Sequence, residues 1–400
     1  MSLSNTASHY GSVTKTFHWL TALLVLTLIP LGIYANSLPF DTSEQLARKA
    51  WLFSLHKTLG VTVFFVALAR IVWALSQPKP GLLHPDRKVE SLAAETVHWL
   101  LYGSLLLVPL SGWVHHAATD GFAPIWWPLG QSLPLVPKSE TVAAVTAGLH
   151  IVFERVLAAS ILLHVAGAVK HHVIDKDATL RRMLPGRPEV AATGGGHRIV
   201  APVTSAVAIW ISALFVGNAL GLYAAHGPTV SAAALEDVQS DWQVQEGEIT
   251  ITVRQLGTNV QGSFADWTSA ISFDEDVTAG TAGTVETTVS IGSLTLGSVT
   301  SQALGADYFN AEAFPTAVFV AEILRSESGY EAQGTLTMKD TSVPVTLPFT
   351  LEISGDVATM TGSATLDRRN YGIGDNQKDE GTLGFNVAVN ISLTATRAEQ

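Results

Sequence analysis

The sequence predicts a multidomain chain: an all-α transmembrane bundle of four helices plus a fifth spanning helix, followed by an all-β antiparallel barrel. Three observations predict it. Residues 1–226 hold all 13 histidines and 16 Lys+Arg against 11 Asp+Glu, whereas from Thr229 onward there are 7 Lys+Arg against 23 Asp+Glu and no histidine. The front also carries five apolar runs long enough to cross a bilayer. Behind about Val238 the hydrophobic period changes from 3.6 to 2. Cysteine is absent, which excludes disulfides, thiolate metal sites and cysteine nucleophiles.

The first run, Phe17 to Ala35, follows a short polar start and resembles a signal peptide in length, but further spans follow and His18 has a use, so it is read as retained. The second runs from about Trp51 to Leu75. The third, about Thr96 to His116, carries His98 and is expected to be broken by Pro109 and Gly112. The fourth runs from about Val142 to Val173, and the fifth, Ile199 to Ala225, contains no histidine. Lys170, Lys176, Arg181, Arg182, Arg187 and Arg198 collect between spans four and five, and Lys79, Arg87 and Lys88 between two and three. By the positive-inside rule the N-terminus is cytoplasmic and the part after span five is external, which in a Gram-negative cell is the periplasm. Arg48 and Lys49 between spans one and two dissent weakly.

The fourth span organises the rest. His150 and His164 are fourteen residues apart, about 21 Å of helical rise and within about 40° of whole turns, so both imidazoles face one way at two depths. Ionisable groups inside a span are costly and mark function. Imidazole is an axial ligand of haem iron. Helix direction and rise pair His18 with His164 for an inner haem and His56 with His150 for an outer one. Arg70, fourteen residues after His56, falls at the inner level, and Lys57 and Arg155 lie near the outer pair. These cations suit haem propionates; Glu154 is the competing partner for an arginine. His98 and His171 could serve a quinone head group or its protons, or could be wetted at the interface, and His115 and His116 end span three.

Phe17-His18-Trp19, Leu55-His56-Lys57-Thr58-Leu59-Gly60, Val97-His98-Trp99-Leu100-Leu101-Tyr102, Val108-Pro109-Leu110-Ser111-Gly112, and His164 with Lys170-His171-His172 and Asp177-Ala178-Thr179-Leu180-Arg181-Arg182-Met183-Leu184-Pro185 resemble the prokaryotic cytochrome b561 family, CybB type, over residues 12–186. The resemblance implies a di-haem four-helix bundle with two b haems, ligands His18, His56, His150 and His164, and electron exchange with ubiquinone. It also implies that superoxide is one possible external donor, as for some members. The fifth span and all that follows depart from that pattern. Residues 187–235 are read as a cytoplasmic turn at Gly194-Gly195-Gly196, the fifth span and an external linker beginning at His226.

From residue 236 to 400, runs such as Ile249, Ile251, Val253 and Val387, Val389, Ile391, Leu393 alternate with polar residues between Gly, Asp and Asn turns. One-faced strands in this number close into a barrel or stack as a sandwich, and a barrel can hold an elongated apolar ligand. With no His or Cys, binding is a better expectation than catalysis. Val260-Gln261-Gly262-Ser263-Phe264-Ala265-Asp266-Trp267, Asp307-Tyr308-Phe309-Asn310, Val343-Pro344-Val345-Thr346-Leu347-Pro348-Phe349 and Leu366-Asp367-Arg368-Arg369-Asn370-Tyr371-Gly372 resemble the YceI family from about Trp242 to Thr396. That resemblance implies a lipocalin-like barrel binding polyisoprenoid chains, including those of quinones. Phe264, Phe309 and Phe319 are candidate pocket residues, although aromatic residues on strands are commonly plain core.

Together these features predict an electron-transfer oxidoreductase of the inner membrane and respiratory chain, joining a periplasmic donor to ubiquinone, with a barrel that binds an isoprenoid quinone or lipid. The competing expectation is a membrane-anchored lipid-binding protein without turnover; a third is a subunit fed by a soluble periplasmic partner. The acidic barrel would repel superoxide unless the bundle presents a basic face. No nucleic-acid partner is expected.

Overall fold

The computed structural model describes residues 2–186, 199–224, 230–326 and 329–398. Arg187, Arg198, the Gly194–Gly196 turn and His226 lie outside the described residues. The chain forms two compact units, one of Met1–Ser37, Trp51–Thr119 and Pro124–Ala225, the other of Leu38–Ala50, Asp120–Ala123 and His226–Gln400.

The first unit is built on α1 (Ser12–Ser37), α2 (Ser43–Leu75) from Trp51 onward, α3 (Lys88–Ala117), α4 (Glu140–Val173) and α5 (Val200–Ala219), five helices each long and apolar enough to cross a membrane. Val25 and Leu28 of α1, Val63 and Ala67 of α2, Leu105 of α3 and Leu157 of α4 form one buried cluster, so the core is shared by four helices. Helix α5 packs outside them, with Trp210 edge-on to Phe153 at 5.0 Å between ring centres. Leu162 and Phe215 keep 71% and 72% of their surface exposed. Large apolar side chains turned outward in this number are the expected face toward lipid.

Helix α2 begins eight residues before the apolar run because Thr42 and Gln45 cap it. The Gln45 amide oxygen accepts from the backbone N–H of Asp41 and Thr42, while the Thr42 hydroxyl accepts from Gln45 N–H, a reciprocal capping box. Ser139 caps α4 by accepting from Val142 N–H. The expected break at Pro109 and Gly112 is not observed: α3 continues through both. In hydrocarbon the backbone gains most by remaining helical, and one lost i→i−4 bond does not end the helix. Nearby, the Val108 carbonyl accepts from the Ser111 hydroxyl (2.9 Å) and the His150 imidazole (2.8 Å).

The second unit contains one antiparallel sheet of ten strands in the order β3-β4-β6-β7-β8-β9-β10-β1-β2-β5. The strands are β1 (Trp242–Gln255), β2 (Thr258–Phe264), β3 (Trp267–Phe273), β4 (Gly280–Ser290), β5 (Leu294–Thr295), β6 (Thr316–Ser326), β7 (Gly329–Met338), β8 (Thr341–Ser354), β9 (Val357–Asp367) and β10 (Leu383–Arg397), with a short helix α6 (Thr300–Leu304) after β5. The sheet curls into a barrel, and backbone bonds from the segment before β1 reach β3: Asp241 N–H donates to Ile271 O at 2.9 Å. Pairing of Trp242 with Arg397 and of Thr396 with Val357 defines one end of the barrel. Pairing of Gln255 with Leu383 and of Asn386 with Asp367 defines the other. The alternation read in β1 and β10 is real: Ile249 and Ile251 are buried, and Val387, Val389, Ile391 and Leu393 line the interior.

Candidate functional site

His56 sits on α2 and His150 on α4, and both rings are oriented by a carbonyl of a neighbouring helix. His56 Nδ1 lies 3.2 Å from Leu28 O on α1, and His150 Nδ1 lies 2.8 Å from Val108 O on α3. A carbonyl only accepts, so Nδ1 carries the proton in both rings and Nε2 keeps its lone pair. Each carbonyl lies four residues before a glycine, Gly32 or Gly112. A Cβ at Gly32 would come within 2.8 Å of His56 Cε1, and one at Gly112 within 3.0 Å of His150 Cε1 and Nδ1. The glycines are therefore windows through which the imidazoles reach the helix backbone.

At the other level, His18 of α1 and His164 of α4 face each other with ring centres 6.1 Å apart. Their planes are tilted by 55°. His98 of α3 packs edge-on against His164 at 5.1 Å, and the Arg70 guanidinium lies over the Tyr102 ring at 5.5 Å. Lys57 is 7% exposed. The Arg155 side chain is 73% exposed and pairs with Glu154 at 3.3 Å.

His171, at the end of α4, belongs to a separate polar network. Its Nδ1 is 2.7 Å from an Asp177 carboxylate oxygen and its Nε2 3.0 Å from Glu90, while His84 Nε2 meets the same Asp177 oxygen at 3.0 Å. The two imidazoles stack, 6.2 Å apart and 7° from parallel. Burial would raise the Asp177 pKa, but hydrogen bonds from Thr179, His171 and His84 outweigh it and hold the carboxyl at about 2.

The barrel encloses a cavity of about 290 Å³, roughly twenty times the space one water needs on the same measure. Phe264, Phe309 and Phe319 all line it. Phe264 and Phe309 meet edge-on at 6.3 Å. Leu46, grouped with this unit and 2% exposed, also contributes to the lining. Almost every other wall residue is apolar; the polar ones include Gln255, Gln302, Tyr308, Arg368 and Tyr371.

Residues 9–186 match the family model "Prokaryotic cytochrome b561", and residues 242–395 match that of the YceI-like domain. Over 189 residues the chain is 32% identical to cytochrome b561 homolog 2 of Escherichia coli (strain K12), covering 46% of this chain and 95% of that protein. The chain belongs to the prokaryotic cytochrome b561 family. It is also 24% identical over 177 residues to a protein of Yersinia pestis named probable superoxide oxidase CybB, covering 44% of this chain and 96% of that one. Among solved structures, BcnA of Burkholderia cenocepacia is similar at 26% identity and a TM-score of 0.36, covering 39% of this chain and all of that one.

Cytochrome b561 membership implies b-type haem and a multi-pass membrane protein. The side chains present suit such a group: facing imidazoles at one level, and at the other two imidazoles with Nδ1 engaged and Nε2 free, beside two glycines. Those glycines were not singled out from the sequence as part of the site. The signal was available, because His18 to Gly32, His56 to Arg70, His98 to Gly112 and His150 to His164 are all fourteen residues apart. Four helices of this cytochrome b561 chain therefore repeat one two-level spacing. Gln255, Gln302, Tyr308, Arg368 and Tyr371 were also missed as lining residues; they sit at strand ends or in the turns and short helix between strands, where alternation carries no signal.

Proposed function

We propose that this chain is a di-haem electron carrier of the inner membrane, linking a periplasmic donor to ubiquinone, with a periplasmic barrel that binds an isoprenoid quinone or lipid. The reading is supported by His18 and His164, whose ring centres lie 6.1 Å apart, and by His56 and His150, each held by a carbonyl beside a glycine. When bound, b-type haem supplies a one-electron centre at each level. The protein's part is to fix the ligand rings. The bonds to Leu28 O and Val108 O hold tautomer and orientation, as the outer partners of metal-binding histidines generally do. Arg70 and Lys57 are the cations offered to propionates. His98 beside His164, and His171 in its carboxylate network, are the groups proposed to exchange protons with quinone at the cytoplasmic side.

Superoxide is one proposed donor, supported by the name of the Yersinia relative. The proposed membrane orientation rests on the Lys/Arg distribution, and with it five spans would leave the barrel outside. Replacing His56 and His150 by Ala is expected to remove one of two b-haem signals from the reduced-minus-oxidised spectrum while His18 and His164 retain the other. A reduced spectrum unchanged in amplitude rejects the assignment. Quinone reduction by the purified protein separates this reading from a membrane-anchored lipid binder without turnover.

A further inference from the structure

We infer that His84, His171 and Asp177, where α4 ends, form a binding site for a divalent transition metal of the zinc type. The inference goes beyond the electron-transfer reading and needs neither haem nor quinone. Each of the three side chains brings one donor atom to within 4.8 Å of the others. An Asp177 carboxylate oxygen is 3.0 Å from His84 Nε2 and 2.7 Å from His171 Nδ1. Donors around a tetrahedral metal stand roughly 3.3 Å apart, at bonds of about 2.0–2.2 Å. The cluster has only to open by a few tenths of an ångström, and the His84 side chain, 33% exposed on the segment before α3, has room to shift.

Local structure builds this convergence. Helix α4 ends at Val173, and Lys176 adopts a left-handed backbone (φ 53°) that turns the chain back toward the helix. The Asp177 N–H then donates to His171 O at 3.1 Å, which sets the carboxylate against the imidazole of the last helical turn. The His84 ring arrives nearly parallel to that of His171, at 7°. Two imidazoles side by side thus aim one nitrogen each at a single carboxylate oxygen.

The groups behind the donors distinguish a metal site from a plain network of ion pairs. Metal-bound histidines almost always donate their second N–H to a carboxylate, carbonyl or water, and ligating carboxylates are themselves hydrogen-bonded. Both partners are present: His171 Nε2 lies 3.0 Å from Glu90, and the other Asp177 oxygen accepts from Thr179 N–H at 2.8 Å. Charge singles out the same carboxylate. Asp175 is engaged by Lys170 at 2.8 Å and Arg87 at 3.1 Å, and Glu90 by the same two side chains. Asp177 forms no ion pair with Lys or Arg among the described residues; Arg182 acts on it through space, and its contacts are the two imidazoles. A cation bound here therefore displaces no Lys or Arg. Two imidazoles with one carboxylate suit zinc and its neighbours, whereas calcium and magnesium favour oxygen ligands. Binding exchanges the imidazole protons held against Asp177 for the metal. It meets the electron-transfer reading at one atom: a metal on His171 Nδ1 withdraws that imidazole from the proton exchange proposed above.

The test titrates Zn²⁺ into the full-length protein in detergent, following binding by competition with a chromophoric zinc chelator and the metal's surroundings by zinc X-ray absorption. Saturable binding of one zinc is expected to depend on this cluster and to persist in excess Mg²⁺, with two imidazoles in the zinc shell at about 2.0–2.1 Å. His84→Gln and Asp177→Asn should each weaken it by about a hundredfold, and His84→Gln should leave one imidazole in the shell. His172→Gln, which removes an exposed histidine beside the site, should bind zinc as the parent does. The helical circular dichroism and thermal midpoint of each variant are read alongside, and the imidazole count reports a lost ligand independently of any change in stability. Absence of saturable zinc binding, displacement of zinc by Mg²⁺, an unchanged shell in His84→Gln, or an equal loss in His172→Gln would each overturn the site.

Discussion

Replacing Gly32 by Ala tests how the His56–His150 level is built. The new Cβ would stand 2.8 Å from His56 Cε1 and 3.1 Å from Nδ1, where ordinary contact begins at 3.4 Å. The imidazole must therefore retreat by about 0.6 Å, and its bond to Leu28 O, already 3.2 Å long, stretches past useful geometry. Loss of such an outer partner typically costs 10–100-fold in metal affinity, roughly 1.4–2.8 kcal/mol. Gly112→Ala, at 3.0 Å from His150, should follow the same course more mildly. Alanine is a better helix former than glycine by about 1 kcal/mol, so weakened helices do not explain a loss. Haem-to-protein ratio and redox titration of the purified variants provide the assay: Gly32→Ala should fall below two haems or shift one potential. A Gly32→Ala protein with both haems at parental potentials would refute the window.

Two further outcomes follow from polar groups already described. Arg368→Met leaves five inward-facing carbonyls without their shared donor and should destabilise the barrel by about 3–5 kcal/mol; hydrogen exchange of barrel amides should speed up accordingly while the haem spectrum is retained. Asp177 is held at about 2, below its ordinary value near 3.8. Its contribution is therefore fully present above that ordinary value and is lost as pH falls from about 4 toward 2. The carboxylate infrared band of ¹³C-aspartate-labelled protein should lose its ionised Asp177 component over that window, and the component should be missing in Asp177→Asn.

The bundle was legible because membrane helices obey few rules. A run of about twenty apolar residues can satisfy its backbone in few ways, and a histidine inside one is expensive enough to stand out. Hence His18, His56, His150 and His164 stand out from spacing as candidate ligands. The break expected at Pro109 fails for the same reason: in hydrocarbon the backbone remains helical at the cost of a single i→i−4 bond. Gly32 and Gly112 are harder to see, because a glycine announces only that a side chain is missing. What fills the space is a ring on another helix, and that follows only once the four fourteen-residue intervals are superposed.

In the barrel, alternation reveals which residues face inward but not which inward atoms are satisfied. Phe264, Phe309 and Phe319 were legible as cavity residues because aromatic groups on an inward face have nowhere else to point. Arg368 reads from sequence as one of two adjacent arginines, equally suited to a phosphate, yet Arg369 pairs with Asp367 and Arg368 is 4% exposed with every donor spent on the backbone. That allocation depends on carbonyls from Ile373, Gly374, Gln377, Leu383 and Gly384 converging in space, which no local pattern encodes. The chemical character of the cavity is thus set less by which polar residues it contains than by which of them the fold has left unengaged: the Tyr371 hydroxyl lacks a partner where Arg368 has five.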